Sequence, residues 1–299
     1  MEVVMQFLCL QLLNSLSYGC LLFMIASGFS LIFGLMKITN MTHLVYFMMG
    51  SYISYTVCMW TGSLFFGLVV AAIITGLVGF LVFKGFLYRL RGEGFSQVLL
   101  CLGFMFVLDD ALLAIFGGYP KKTPNPAWLS GALTIGKFSF PKYRYFVIVI
   151  GILIAIAINL IVNKTKLGAL IRAGVDDDET VQAMGVDISK LFLAVYVGAT
   201  CLASIGGSLA GPVLSMEPKM SFSLLPLALA IVIIGGMGNV NGAFFASLLV
   251  ATIDNFCKVL MPAMAYFSVF LPMALILVFK PEGLFTRRTG MKKREATKQ

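Results

Sequence analysis

Thr165–Lys190 reads TKLGALIRAGVDDDETVQAMGVDISK, a polar island set between apolar runs at 145–163 and 190–214. Each flanking run meets or approaches the roughly 20 residues that a helix needs to cross a bilayer. A segment this charged is too costly to hold in hydrocarbon, so it is expected on one face of a membrane as a docking surface. Composition agrees: 60% of the 299 residues are hydrophobic and 12% are charged, about half the roughly 25% charged share of a soluble domain. The chain is therefore read as a polytopic membrane protein.

Outward from the island, the spans fall near 7–34, 44–60, 64–83, 97–117, 145–163, 190–214 and 264–280. Between the last two, an apolar piece at 223–235 is broken by Gly235-Gly236-Met237-Gly238-Asn239-Val240-Asn241-Gly242, and a second apolar run follows at 243–257. The expected fold is an all-α helical bundle of about eight transmembrane segments with a broken or re-entrant helix near 223–257. The alternating ten-residue strands of a membrane β-barrel are absent from the sequence. Residues 1–285 are read as one transmembrane domain that includes the loop 164–190, and 286–299 as a basic tail. No small-residue cleavage site follows a short basic start, so the first run is expected to stay in place.

Lys84, Arg89 and Arg91 in the loop 84–94, Lys164, Lys166, Arg172 and Lys190 around the island, and seven Lys and Arg from Lys280 to Lys298 all fit the cytoplasmic side, with the C-terminus inside. The net charge of +9 thus sets orientation in a membrane, and nucleic-acid binding is rejected. The segment 118–144 falls outside; its lysines, prolines and Trp128 read as a solvated turn with an interfacial ring. The six cysteines lie inside apolar runs with no CxxC pairing and read as small buried hydrophobes. One histidine, no nucleophile with a base beside it and no metal-ligand cluster give no catalytic residues and no metal site, so no enzyme is expected. No Walker A pattern occurs, so this chain cannot cradle ATP phosphates by that route.

A Gly- and Asn-containing break also follows the first span, at Gly34-Leu-Met-Lys-Ile-Thr-Asn40, echoing Gly236-Met-Gly-Asn-Val-Asn241. Paired interruptions of this kind point to a transport site near mid-membrane. For 37–43 alone an ordinary turn is an equal reading.

Tyr18 to Asn40 (YGCLLFMIASGFSLIFGLMKITN), the island, then Ile234-Gly-Gly-Met-Gly-Asn239 and Gly242-Ala243, resemble in order the permease subunits of ABC importers for branched-chain amino acids, the Liv type. The resemblance runs from about residue 11 to Phe285. Gly168, Arg172-Ala173, an acid near Asp176 or Asp177, Ala183, Gly185 and Lys190 match the family's cytoplasmic loop that contacts the ATPase subunit. The pattern departs after the first break: Asn40-Met41-Thr42-His43 is followed by Leu44-Val45 where the family has Gly-Glu, so a close backbone approach and a carboxylate are lost there. Alone, His43 reads first as a packing residue.

The residues give such a loop a means of coupling. Asp176 to Glu179 place acids at a helix start, where negative charge is stabilising, and Val181 with Met184 supplies an apolar stripe for a partner's groove. The expected ATPase contacts are Gly168, Arg172, Asp176, Asp177, Glu179, Met184 and Gly185; Asn40, His43, Gly236, Gly238 and Asn239 are expected to line the substrate pathway. Asp254 and Lys258, four apart, are read as a structural pair near the outer end. Asp109 and Asp110 fit either an outer vestibule or plain bundle packing.

The resemblance implies a multi-pass permease subunit in the cytoplasmic membrane of a prokaryote, moving a small amino acid, branched-chain above all, or a related amide inward by alternating access. It implies partner ATPases that carry ATP and Mg, a second identical or related permease chain, and an extracytoplasmic substrate-binding protein; the chain itself carries no cofactor, and membrane lipid surrounds it. The rival reading is a stand-alone secondary transporter or channel. An intramembrane enzyme is a third and remote one.

Overall fold

A computed structural model describes residues 2–36, 40–90, 92–135, 138–176, 178–264, 267–280 and 283–285. Asp177 and the basic tail 286–299 lie outside the described residues, and for Asp176 and Glu179 the description covers the backbone alone.

The apolar runs form helices α1 (Glu2–Met36), α2 (Thr42–Thr61), α3 (Leu64–Gly85), α4 (Gly94–Phe116), α5 (Lys142–Lys164), α8 (Ile188–Ala210), α9 (Met220–Gly235), α10 (Val240–Leu260) and α11 (Phe267–Phe279), and the island forms α6 (Lys166–Asp176) and α7 (Asp178–Ala183). Among the described residues six helices are long and apolar enough to cross a membrane: α1, α3 with its following turn, α4, α5, α8 and α10. The fold is thus the expected polytopic helical bundle, with the expected eight as an approximate count. α1, at 35 residues, would measure about 52 Å, well over the roughly 30 Å of a hydrocarbon core.

Two features follow from side-chain size and polarity. α2 carries Thr42, His43, Ser51, Ser54 and Gly50 and is wrapped by protein, packing against α3 and α8. Its buried hydroxyls have to face protein, because lipid offers them no hydrogen-bond partner. α4 and α5, with bulky aliphatic residues all round, stand at the periphery and leave Ile115, Val149, Leu153 and Ile156 exposed.

The 223–257 region is two helices, α9 and α10, packed against each other across a short turn. α9 has 16 residues and an internal Pro226, which leaves it short for a full crossing. One small element was not expected: β1 (Ala132–Ile135) pairs antiparallel with β2 (Phe138–Pro141) beyond the end of α4. It forms from the alternation of Leu133, Ile135, Phe138 and Phe140 with smaller or polar residues.

Candidate functional site

The island is anchored at both ends by hydrogen bonds its own sequence supplies. At its start, Thr165 Oγ1 donates to the Ile161 carbonyl at 2.6 Å and accepts from the Gly168 amide at 3.1 Å. A Cβ on Gly168 would lie 2.3 Å from the carbonyl oxygen of Ile161 and 2.2 Å from that of Val162, so α6 can fold back on α5 only with glycine there. At its finish, Asp187 caps α8 by accepting from the amides of Ser189 at 3.1 Å and Lys190 at 3.2 Å, and it pairs with the Lys190 ammonium at 3.2 Å. These donors hold the Asp187 carboxyl below its ordinary range, the Lys190 backbone bond contributing most. Ser189 Oγ donates to the Tyr88 hydroxyl at 3.1 Å, which ties the island to the α3–α4 connection. The island and the loop 84–94 therefore lie at one end of the bundle.

Ile171 and Val181 face inward, whereas Arg172, Thr180, Met184 and Gly185 are exposed, Met184 at 78%. Val181 and Met184 do not share the expected stripe. α7 ends at Ala183, and Gly185 adopts a left-handed φ of 82° that turns the chain away, leaving Met184 projecting beyond the helix.

The glycine-rich break lies at this same end. Gly236 and Gly238 take φ values of 90° and 76°, and Asn239 caps α10, its Oδ1 accepting from the Gly242 amide at 3.0 Å while its Nδ2 donates to the Phe285 carbonyl at 2.9 Å. Gly238 packs backbone to backbone on α1: a Cβ on Gly34 would sit 2.5 Å from Gly238 Cα. Between this turn, the end of α5 and α6 opens a cleft of about 690 Å³ that takes in Arg172, Asn163, Gly238, Asn239, Asn241 and Phe285. Gly236 stands just behind it, against Gly283. Asn163 Nδ2 donates to Asn159 at 2.8 Å, and Asn159 Nδ2 donates to Asn241 at 2.5 Å, a polar ladder that joins α5 to α10 along the cleft.

Asn40 and His43 lie elsewhere. His43 is fully buried; its Nε2 contacts the Ile25 carbonyl at 3.2 Å, its ring stacks on Phe29, and a Cβ on Gly28 would touch it at 2.9 Å. Gly28 precedes Gly34 by six residues of α1, so His43 sits about 9 Å deeper in the bundle than the glycine turn. Thr42 Oγ1 donates to the Cys101 carbonyl of α4 at 2.9 Å, which places the start of α2 inside the protein. Asn40, equally buried, stands beside the Tyr196 hydroxyl, and among the described residues neither its amide atoms nor His43 Nδ1 meets a partner at full hydrogen-bond geometry. Nearby, the hydroxyls of Tyr46 and Tyr196 meet at 3.1 Å between α2 and α8.

The expected residues thus fall into two groups: Arg172, Gly238 and Asn239 with the island, and Asn40 with His43 in the interior. Sequence reading missed Asn159, Asn163, Tyr46 and Tyr196, and it placed Asn241 in the break without naming it for the pathway. The spacing of Asn159 and Asn163, four apart in an apolar run, was the available clue.

The opposite end holds two carboxylates that are buried among the described residues, Asp109 and Asp254, and several more exposed charges around them. Ser221 of α9 hydrogen-bonds Asp109, and Asp110 pairs with Lys219 at 3.3 Å. Asp254 takes Lys258 at 2.6 Å and Ser268 Oγ at 3.1 Å, and Arg144 hydrogen-bonds Asn14. Among the described residues no three His, Cys, Asp or Glu come together to suit a metal ion.

Residues 11–279 match the family described as branched-chain amino acid transport system / permease component. The high-affinity branched-chain amino acid transport system permease protein BraD of Pseudomonas aeruginosa is 22% identical over 294 residues, covering 93% of this chain and 95% of BraD. The probable branched-chain amino acid transport permease proteins LivH and LivM of Methanocaldococcus jannaschii are 22% identical over 81% of this chain and 78% of LivH, and 24% identical over 74% and 69% of LivM. Among solved structures, PsaBC from Streptococcus pneumoniae in complex with Fab aligns at 12% identity and a TM-score of 0.47, covering 96% of this chain and 94% of that one.

Proposed function

The chain belongs to the branched-chain amino acid transport system permease family, and from that membership together with the island we propose that it is the membrane-spanning half of an ATP-driven importer. In this reading the island end is cytoplasmic, in keeping with its Lys and Arg, and the membrane is the cytoplasmic membrane of a prokaryote. A separate ATPase grips α6 and α7, with Arg172, Asp176, Asp177, Glu179 and Met184 as its contacts and Gly168 and Gly185 as the bends that present them. A second permease chain completes the pathway, and an extracytoplasmic binding protein delivers a small amino acid of the branched-chain type or a related amide.

The single observation that carries the reading is that the island packs one side inward through Ile171 and Val181 while leaving Arg172 and Met184 exposed at the bundle end. A protruding methionine beside charge is a usual partner-facing surface. Movement of α6 also has a route inward: it shares a cleft with the α9–α10 turn, and that turn touches α1 at Gly34. Alternating access then follows if ATPase closure shifts α6 and the bundle opens toward the other face. Asn40 and His43, buried in the interior with polar atoms that meet no full hydrogen-bond geometry among the described residues, are the groups offered to a passing solute.

The test is uptake into proteoliposomes. The chain reconstituted with its ATPase, permease and binding-protein partners is expected to accumulate solute only with ATP, and Arg172→Glu is expected to release the ATPase on co-purification. Uptake by the chain alone under an ion gradient would favour the secondary-transporter reading instead.

A further inference from the structure

Beside the cleft at the island runs a second cavity of about 470 Å³ between α1, α5 and α10, lined by Phe23, Ile152, Ala155, Ile156, Leu160 and Phe244 and sharing Val240, Asn241 and Phe245 with the cleft. The two form one amphipathic slot. Its apolar part lies along the outward side of α5, where Ile152, Ile156 and Leu160 are exposed. Its polar part holds Arg172, Asn163 and Asn241 at the bundle end. From Ile152 to Asn163 is eleven residues of α5, about 16 Å, or roughly half the 30 Å hydrocarbon thickness. The slot therefore has the depth of one leaflet, with its polar mouth where head groups lie.

Among the described residues that line either cavity Arg172 is the one charged side chain, and it makes no ion pair with a described residue. Lys164 and Lys166 flank the same corner at the α5–α6 turn, and the first turn of α10, capped by Asn239, adds the positive end of a helix dipole. A neutral lipid would leave this positive field unanswered, whereas a phosphodiester with net negative charge would meet both it and the Asn163–Asn159–Asn241 ladder. We propose that the slot binds an anionic phospholipid of the island-side leaflet, with an acyl chain along α5 and α10 and the phosphate beside Arg172. The lipid bridges α6 to the α9–α10 turn, the two elements that face each other across the cleft.

The full-length chain, purified in detergent, stripped and resupplied with phosphatidylglycerol or phosphatidylcholine, is examined by native mass spectrometry. Phosphatidylglycerol is expected to be retained several-fold more than phosphatidylcholine. Arg172→Gln is expected to abolish that preference, and Ala155→Trp, which fills the groove, to lower retention of both lipids while elution and thermal transition stay native. Should Ala155→Trp fail to fold, Ile152→Trp blocks the same groove from an exposed position. Equal retention of the two lipids, a preference that survives Arg172→Gln, or efficient disulfide formation between Ile156→Cys on two copies in native membranes would overturn the proposal. The measurement needs neither ATPase nor uptake, so its failure is separable from failure of the importer reading.

Discussion

A methyl group on Gly207 would lie 1.7 Å from the carbonyl oxygen of Phe47, so the backbones of α8 and α2 touch there with no room for a side chain. Such contacts hold helices together in lipid, where close packing takes over from the hydrophobic effect. Gly207→Ala is expected to destabilise the bundle by about 3 kcal/mol or more, because overpacking costs about 1–3 kcal/mol even where neighbours can shift and a backbone carbonyl cannot. Gly198, on the same helix with nothing within 4 Å of its Cβ position, is the control. Gly198→Ala is expected to be neutral or stabilising by about 0.5–1 kcal/mol. Thermal unfolding of both variants in detergent checks the contrast; equal transitions would refute it.

Asn239 works in two directions, and substitution separates them. Its Oδ1 caps α10 through the Gly242 amide, and its Nδ2 holds the Phe285 carbonyl. Asn239→Ala is expected to lose about 1 kcal/mol for the cap and about 1 kcal/mol for the second bond. Asn239→Asp keeps an acceptor at the helix start and recovers the first part alone. Hydrogen exchange reads the second: the Leu284 amide, now bonded to the Ile234 carbonyl at 2.8 Å, is expected to exchange faster in both variants.

Long spans were legible in the sequence because each is an apolar run of near-spanning length, whereas the helix stops and caps at Gly62, Ser63, Asp187 and Asn239 emerge from the structure. Depth was not legible. The run 44–60 reads as one more span by length, yet it is less apolar than the six spanning helices, and its interior position shows in the burial of Tyr46, Ser51, Tyr52 and Ser54. Likewise Gly235–Gly242 marks a break, but nothing local says at what height; its seat beside Arg172 is set by α1 through Gly34 and by the chain at Phe285, which are remote in sequence. The β1–β2 hairpin escaped notice because four-residue strands carry little periodicity beside twenty-residue helices. Asp109 and Asp110, adjacent in sequence, point to different partners on and before α9, which a helix's 100° step per residue makes natural and which sequence alone leaves open.

The Asp254–Lys258 pair is unequal. Asp254 is 4% exposed at the side chain and Lys258 is 52% exposed. Lys258→Met is therefore expected to be the more harmful single change, since it leaves a buried carboxylate with Ser268 as its remaining hydrogen-bond donor among those identified. Its cost should fall below the roughly 3–5 kcal/mol of breaking a fully buried pair, because water reaches the lysine side. Asp254→Asn keeps an acceptor for Ser268 and strands an ammonium that is already half solvated, so about 1 kcal/mol is expected. Combining the two is expected to recover part of the Lys258→Met loss in a double-mutant cycle on thermal unfolding. Strict additivity would show that the two side chains do not interact.

Acid is expected to loosen the island through Asp187. Amide donors from Lys190 and Ser189 and the Lys190 ammonium hold its carboxyl below the ordinary value of 3.8. A depressed carboxyl stabilises the folded island fully above its ordinary value, and that contribution fades as pH falls through the depressed one. Between about pH 5 and about pH 2 the α7–α8 junction should therefore become more open to pepsin, with new cleavage in 184–190. The substitution Asp187→Asn retains an uncharged acceptor for the cap and removes the titration, so this step should vanish from its pH profile. Asp187→Ala should be cleaved readily at every pH in the range, because the α8 amides then lose their acceptor altogether. A wild-type profile that matches Asp187→Asn would mean that the carboxylate's charge adds nothing to the cap.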